Sequence, residues 1–213
     1  MRDAIILGTG GHARVIISML IQAGTHNILE ALELGDFRGN EAILGVPVGV
    51  TIEKLNAYQQ QNSVDVFLAI GNNKLRRDWW HKVKMLNLPM PNLISPTAII
   101  DRFAELGEGN VVCANAFLGP ECKIGSNNLI NTRAILEHEV QVGSNCHVCP
   151  GAIIAGRVQI QDDSFIGAGA VVIDGLRVEL NSVIGAGAVL VEDINVPNGV
   201  YVGVPAKRLK NTP

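Results

Sequence analysis

One periodicity limits what this chain can fold into. Stepping by six from Ile94 lands on Ile, Leu or Val eighteen times in succession, through Ile100, Leu106 and Val112 to Val196, with no insertion. If about one residue in three is aliphatic, such a run by chance has odds on the order of one in 10⁸. The fourth residue after each aliphatic is mostly small, as at Ala98, Ala116, Cys122, Ala134, Cys146 and Ala152. It precedes the next aliphatic by two, so both point to the same side of one short strand. Residues two after the aliphatic are mostly polar, Gly or Pro, such as Pro120, His138, Pro150 and Gly156, and read as corners. The pattern predicts a narrow prismatic core and a parallel β-helix, three hexads and eighteen residues to a coil.

The residue five after each aliphatic faces outward, and these sort by flank. One flank carries Ile99, Phe117, Ile135, Ile153, Val171 and Val189; the next carries Glu105, Lys123, Gln141, Gln159, Arg177 and Asn195; the third carries Val111, Leu129, His147, Phe165 and Val183. Two greasy flanks and one wet one are expected. Apolar stripes of that length are not left in water. Two different apolar patches per subunit fit a closed cyclic assembly, here a homotrimer of parallel prisms.

Residues 1 to about 90 have a different texture. Ala4–Leu7 reads as a buried strand, Ala13–Ala23 as a helix stopped by Gly24, Asn27–Leu34 and Val64–Ile70 as strands, and Lys74–Leu86 as a basic amphipathic helix. Strand, glycine turn, helix and strand predict a small Rossmann-like α/β unit. Pro89, Pro91 and Pro96 mark the junction, giving expected domains of residues 1–92 and 93–213.

Three places carry candidate chemistry. His138 is the only histidine at a corner of the repeat, flanked by Glu137 and Glu139, with Gly156 at the same corner one coil later. An imidazole beside a carboxylate can act as a general base near neutral pH; a solvated corner histidine with acidic neighbours is the bland alternative. His147 lies on an apolar flank and would line a neighbour's side of an inter-subunit groove. Gly8-Thr-Gly-Gly-His-Ala13 follows a strand and opens a helix in the pattern G-x-G-x-x-A, which lets backbone N–H groups approach a pyrophosphate. Glu33 and Asp36 follow at about the separation of a ribose-binding acid, and Gly71-Asn-Asn follows another strand's carboxyl end. A structural tight turn explains the same glycines. Cys146-His-Val-Cys149 looks like a metal or redox motif, but Cys146 and Cys122 fall on inward small positions. No second pair completes a tetrahedral zinc site, so no metal is expected.

Composition narrows the function classes. Formal net charge is −3, and no long basic run supports nucleic acid as a partner. No stretch reaches the roughly 18 uninterrupted apolar residues of a membrane span, and the first residues lack the features of a signal peptide. A cytoplasmic protein is the expectation. The 23 glycines and 4% aromatics suit short strands and tight turns.

Taken together, the glycine loop GTGGHARV, then AIGNNKLRR, NTRAILEHE and the hexapeptide run ending in GVYVGVPAKRLK resemble the sialic acid O-acetyltransferase-like family of nucleotide-sugar acetyltransferases. Within it, the UDP-4-amino-sugar N-acetyltransferases of the bacillosamine pathway are most similar, over nearly the whole chain. The resemblance implies left-handed winding, on which the periodicity is silent. It also implies a trimer, acetyl-CoA as acetyl donor, and an N-terminal domain holding the nucleotide sugar. By position it makes His138 the general base, Glu139 the carboxylate supporting it, and Asn131 a residue behind the reacting groups. His147, Gly156, Ala168 and Ala186 match acetyl-CoA contacts, and Gly10, Gly11, His12, Asp36 and Gly71 match the sugar-nucleotide site. Many relatives carry two consecutive acids where this chain has Gly35-Asp36; the departure bears on which nucleotide and sugar is bound, not on the reaction class. Lys207, Arg208 and Lys210 suit either CoA phosphates or a solvated tail. Competing readings are O-acetylation of a sialic acid or other sugar hydroxyl, a non-catalytic nucleotide-sugar-binding β-helix, and an NAD-linked enzyme, which would leave the β-helix without a task.

Overall fold

A computed structural model describes residues 1–35, 42–61 and 64–209. The chain divides into two compact units, Met1–Pro96 and Thr97–Pro213.

In the first unit, β1 (Arg2–Leu7), α1 (Gly11–Ala23), β2 (His26–Glu33), β3 (Ala42–Ile43), β4 (Val46–Val50), α2 (Thr51–Gln61), β5 (Val64–Leu68) and α3 (Asn73–Met85) follow in chain order. The sheet has strand order β3-β4-β2-β1-β5. All pairings are parallel except β3 with β4. Ala4 to Leu7 and all of β5 are buried, as befits parallel strands covered on both faces. Chain order reverses about β1, so the carboxyl ends of β1 and β5 form a topological switch point, where open α/β sheets bind ligands. Gly24 ends α1 in the left-handed conformation, its N–H bonded to Leu20 O.

The second unit is the repeat made solid. Two-residue strands stack in parallel with eighteen-residue register, as in Phe117 with Ile135 and Lys123 with Gln141. Three sheets result. One runs from Ile99–Ile100 to Val189–Leu190, one from Glu105–Leu106 to Arg177–Val178, and the third includes Val111–Val112 through Val183–Ile184. Its last member, Lys207–Arg208, joins antiparallel to Val200–Val202. The repeat's aliphatics fill the prism from Val112 to Leu190, with Ala116, Cys122, Ala134, Cys146 and Ala152 fully buried among them.

Four details depart from the periodic expectation. First, the left-handed residue at each corner is the third after the aliphatic: Glu121, Asn127, Arg133, Glu139, Asn145 and Arg157 all have φ between 58° and 62°. Second, two inward slots hold asparagine. Asn110 Nδ2 donates to Gly125 O, Asn128 N to Asn110 Oδ1, Asn128 Nδ2 to Gly143 O, and Cys146 N to Asn128 Oδ1. Buried amides are tolerated there because both the nitrogen and the oxygen of each carboxamide are hydrogen-bonded. Third, the repeat fails at its end: Ile194, 1% exposed, pairs with Val178, while Val196 is 47% exposed. The coil shortens by two residues, so Asn195 does not extend the polar flank. Fourth, Val111, Leu129 and His147 are already buried within the single chain. Among the outward strand positions of the described residues, Ile99 and Ile153, 63% and 40% exposed, are the large aliphatics most open to solvent, and Phe165 and Val183 of the third flank are half-buried.

Candidate active site

The strand Ile135–Leu136 delivers the chain to a corner whose conformation the stacked coils fix. Glu137 N donates to Ile154 O, Glu139 N to Pro120 O, and Arg157 N to His138 O, all at 2.9 Å. Glu139 is left-handed, with φ 60°. Its carboxylate lies beside the ring it follows, Oε2 at 3.0 Å from His138 Nδ1. A carboxylate only accepts, so the neutral ring carries its proton on Nδ1 and leaves the Nε2 lone pair for a substrate. The imidazole is half-exposed. A Cβ at Gly156, one coil on, would stand 2.3 Å from His138 Cε1 and 2.5 Å from Nε2. Only glycine leaves the ring where it is.

A second cluster sits at the other end of the same strand. Asn131 Nδ2 lies 3.2 Å from His147 Nε2, and Thr132 N donates to Asn131 Oδ1 at 2.8 Å. His147 is buried and packs edge-on against Phe165, ring centroids 5.1 Å apart. Ala168 and Ala186 follow on this corner in later coils, both exposed, with Gly187 N donating to Ala168 O. In one chain the strand Ile135–Leu136 separates these residues from His138, Glu139 and Gly156.

In the first unit, Gly8 is needed for structure: its φ is +110°, and a Cβ would stand 2.7 Å from Ala69 O. Gly10, Gly11 and Gly71 are different. A Cβ on any of them meets nothing within 4 Å. The tight turn therefore explains Gly8 alone, and the other three leave an open cradle at the amino end of α1, where the helix dipole and N–H groups favour an anion. His12 opens that helix. Burial, then the Arg76 charge, push its pKa down to about 4. Its Nε2 is buried without a hydrogen-bond partner among the described residues. Thr9 Oγ1 donates to Glu33 Oε2, and Leu34 N to Glu33 Oε1 at 3.0 Å, so Glu33 ties the glycine loop to the end of β2. Asp36 lies outside the described residues.

Arg76 is a site residue that charge alone does not distinguish from the other cations of the basic helix. It is buried, and its guanidinium donates to Ile70 O at 3.2 Å, Gly71 O at 3.5 Å and Asn73 Oδ1 at 3.0 Å, fixing the loop after β5. The signal was available: Arg76, Trp79, Trp80 and Val83 are spaced i, i+3, i+4, i+7 and form the buried face of α3.

Cys146 points inward, its Sγ 3.2 Å from Gln161 O, and all four cysteines are free. Burial pushes the Cys113 and Cys149 thiols up to about 12. Among the described residues no three His, Cys, Asp or Glu side chains are placed to hold a metal ion. Lys207 and Arg208 are exposed, and Lys210 lies outside the described residues. A groove of about 440 Å³ opens on the polar flank between Glu105, Lys123, Gln141 and Gln161, and includes none of the site residues above.

Comparison with known proteins agrees with both halves. Residues 3–83 match the PglD N-terminal domain, and residues 121–156 match the bacterial transferase hexapeptide family of six repeats. A histidine-to-alanine variant of GDP-perosamine N-acetyltransferase from Caulobacter crescentus, in complex with CoA and GDP-perosamine, is 33% identical, with a TM-score of 0.92, covering 98% of this chain and 97% of that one. The acetyltransferase domain of PglB from Neisseria gonorrhoeae, in complex with acetyl coenzyme A, is 32% identical, with a TM-score of 0.90, covering 98% and 99%. UDP-N-acetylbacillosamine N-acetyltransferase from Bacillus subtilis is 32% identical over 119 residues, 54% of this chain and about half, 52%, of that protein. The β-helix is the left-handed hexapeptide type, behind a Rossmann-like domain.

Proposed function

This chain belongs to the family of hexapeptide-repeat nucleotide-sugar N-acetyltransferases, and from that premise we propose that it transfers the acetyl group of acetyl-CoA to the free amine of a nucleotide-linked amino sugar of the UDP-4-amino-4,6-dideoxy type. The observation that carries the reading is His138 itself. Its Nδ1–H is held by Glu139, and Gly156 keeps the space over the ring clear.

The chemistry follows from that geometry. The neutral sugar amine attacks the thioester carbonyl carbon while His138 Nε2 takes the amine proton. Glu139 stabilises the imidazolium that forms. The C–S bond then breaks, the proton passes to sulfur, and the products are the N-acetyl sugar and CoA thiol. No covalent enzyme intermediate is needed, and backbone N–H groups serve the oxyanion.

His147, Gly156, Ala168 and Ala186, with Asn131 behind them, hold acetyl-CoA in this reading. The two alanines are exposed and small, which suits a long, thin ligand lying along a corner. Gly10, Gly11, His12, Asp36 and Gly71 take the nucleotide sugar, and the open cradle at the amino end of α1 suits its diphosphate. The exposed flank of Ile99 and Ile153 is the subunit contact of a homotrimer, which supplies one chain's His138 edge with a neighbour's acetyl-CoA edge. The enzyme works in the cytoplasm, where acetyl-CoA is available. Among the described residues no helix is long and apolar enough to cross a membrane.

The test is thiol release from acetyl-CoA against a panel of UDP- and GDP-amino sugars and hydroxyl-only sugars, with products identified by mass. Acetylated amine is expected. Transfer to hydroxyls alone, or no CoA binding by calorimetry, defeats the proposal.

A further inference from the structure

We propose that Asp174 is a positioning residue: it holds the Arg157 guanidinium away from Glu139, and so reserves the Glu139 carboxylate for His138. The consequence for catalysis rests on the acetyltransferase reading above; the competition between the two carboxylates does not.

The coils stack like positions on one another. Ile135 and Leu136 pair with Ile153 and Ile154, which pair in turn with Val171 and Val172. His138, Gly156 and Asp174 therefore succeed one another at one place on the corner, and Glu139, Arg157 and Gly175 at the next. Arg157 N donates to His138 O and Gly175 N to Gly156 O, both at 2.9 Å, and Glu139 and Arg157 share the left-handed conformation, with φ 60° and 58°. A glutamate and an arginine on successive coils begin about 4.8 Å apart, well within reach of each other. Opposite charges so placed normally pair. Here they are divided otherwise. Arg157 Nη2 lies 2.6 Å from Asp174 Oδ2, and Glu139 Oε2 lies 3.0 Å from His138 Nδ1.

Arg157 thus stands between two acids that want the same cation. The hydrogen bond and charge of Asp174, and at longer range the charge of Glu139, hold the guanidinium pKa above its ordinary value. A guanidinium on Glu139 would engage the carboxylate through its own paired N–H groups and leave less of it for the imidazolium. Asp174 prevents that by offering a nearer acid. Both members of the Arg157–Asp174 pair are exposed, so the pair adds little to stability. What it decides is where the cation rests. The other charged residues stacked on this corner are Glu137 beside His138, Glu121 one coil before, Asp101 and Arg102 two coils before, and Asp193 one coil beyond Asp174. Asp193 Oδ1 is engaged by Arg177 N at 2.8 Å.

A double-mutant cycle in the ligand-free enzyme reads the competition directly. The His138 ring is identified among the five histidines by its loss in His138→Gln. Its signal is titrated with pH by NMR in wild type, Asp174→Asn, Arg157→Gln and the double variant, with thermal unfolding checked for an intact fold. Asp174→Asn is expected to move the midpoint of that titration to lower pH by about half a unit to one unit, because Arg157 turns to Glu139. In the Arg157→Gln background the same substitution is expected to move it by less than about a third as much. Equal displacements in both backgrounds would make Asp174 a plain distant charge and overturn the proposal. No displacement in either background overturns it too.

Kinetics then reads the consequence. A base whose imidazolium is less stabilised takes the amine proton less readily. At about pH 8, Asp174→Asn is expected to lose about two- to threefold in kcat with KM for acetyl-CoA unchanged, while the acid limb of the pH profile of kcat/KM moves with the NMR midpoint. The double variant is expected to match Arg157→Gln in kcat. A loss of the same size on adding Asp174→Asn to Arg157→Gln overturns the assignment. Inactivity of wild type on every amino sugar, with the NMR coupling present, would instead defeat the acetyltransferase reading and leave the role of Asp174 standing.

Discussion

At the residue scale, the proposed catalytic group depends on two neighbours that the repeat places for it. His138→Ala is expected to lose about 10²- to 10⁴-fold in kcat while acetyl-CoA still binds by calorimetry. Gly156→Ala is the sharper test, because the new methyl group would stand 2.3 Å from His138 Cε1 and the imidazole must move. A displacement of about 1 Å at a reacting group is worth on the order of 10²-fold, so kcat should fall by about that much with the fold intact. An active Gly156→Ala enzyme contradicts the placement of His138. His12 gives a prediction about stability. Its folded pKa is about 4, below the ordinary 6.5, so the fold favours the neutral ring. That contribution is complete above pH 6.5 and is lost as pH falls from there toward 4. By linkage it amounts to about 2 kcal/mol between pH 7.5 and 5. Urea unfolding should therefore show His12→Gln losing less stability over that interval than wild type; equal losses would contradict it. His138 was legible because its corner position and acidic neighbour are local in sequence. Arg76 was legible only as one position on the buried face of α3; its bonds to Ile70 O and Gly71 O are brought to it by the loop geometry.

At the scale of elements, the hexads announced their strands because aliphatic and small residues alternate inside one narrow prism. The β3–β4 hairpin went unannounced for a physical reason. Its turn puts Leu44 at φ 50° and Gly45 at φ 83°, where a left-handed pair usually carries Asn or Asp before Gly. Helix α2 has a polar sequence, and its recognisable anchors are few: Leu55 is buried, and Tyr58 donates to Glu30 Oε1 at 2.7 Å. The asparagine ladder was equally invisible, because spacing alone marks Asn110 and Asn128 as misfits in a row of small residues. In the coils they are structural. Asn128 bonds both neighbouring coils, its N–H to Asn110 Oδ1 in the coil before and its carboxamide to Gly143 O and Cys146 N in the coil after. Asn128→Leu keeps the branched shape but strands the Gly143 carbonyl and the buried Cys146 N–H, each costing about 1–3 kcal/mol. A loss of about 2–4 kcal/mol in urea unfolding is expected, with loss of the native midpoint shared by the whole β-helix because each coil is held only by its neighbours. A neutral Asn128→Leu would mean that the ladder is decorative.

At the scale of the molecule, the outward faces of the β-helix depart most from what their residue types predict. Sorting outward residues predicted two greasy flanks. One of them is buried within a single chain at Val111, Leu129 and His147 and half-buried at Phe165 and Val183, so the flank of Ile99, Phe117, Ile135 and Ile153 is the more open of the two. That flank lies between the two clusters of the candidate site. His138 with Gly156 borders one edge, and Asn131 with Ala168 and Ala186 borders the other. One chain alone keeps the proposed base and acyl-donor residues apart, so the proposed cyclic homotrimer would have a catalytic purpose as well as an apolar one. This couples two measurements that would otherwise be independent. Ile153 is 40% exposed in the chain. Ile153→Asp would bury a carboxylate in the proposed contact, at a cost no open surface would impose. Light scattering should report a trimeric mass for wild type and a monomer for Ile153→Asp, and acetyl transfer should fall with the trimer while His138 keeps its geometry. A monomeric wild type, or a monomeric variant with full activity, would show that one chain assembles the site by itself.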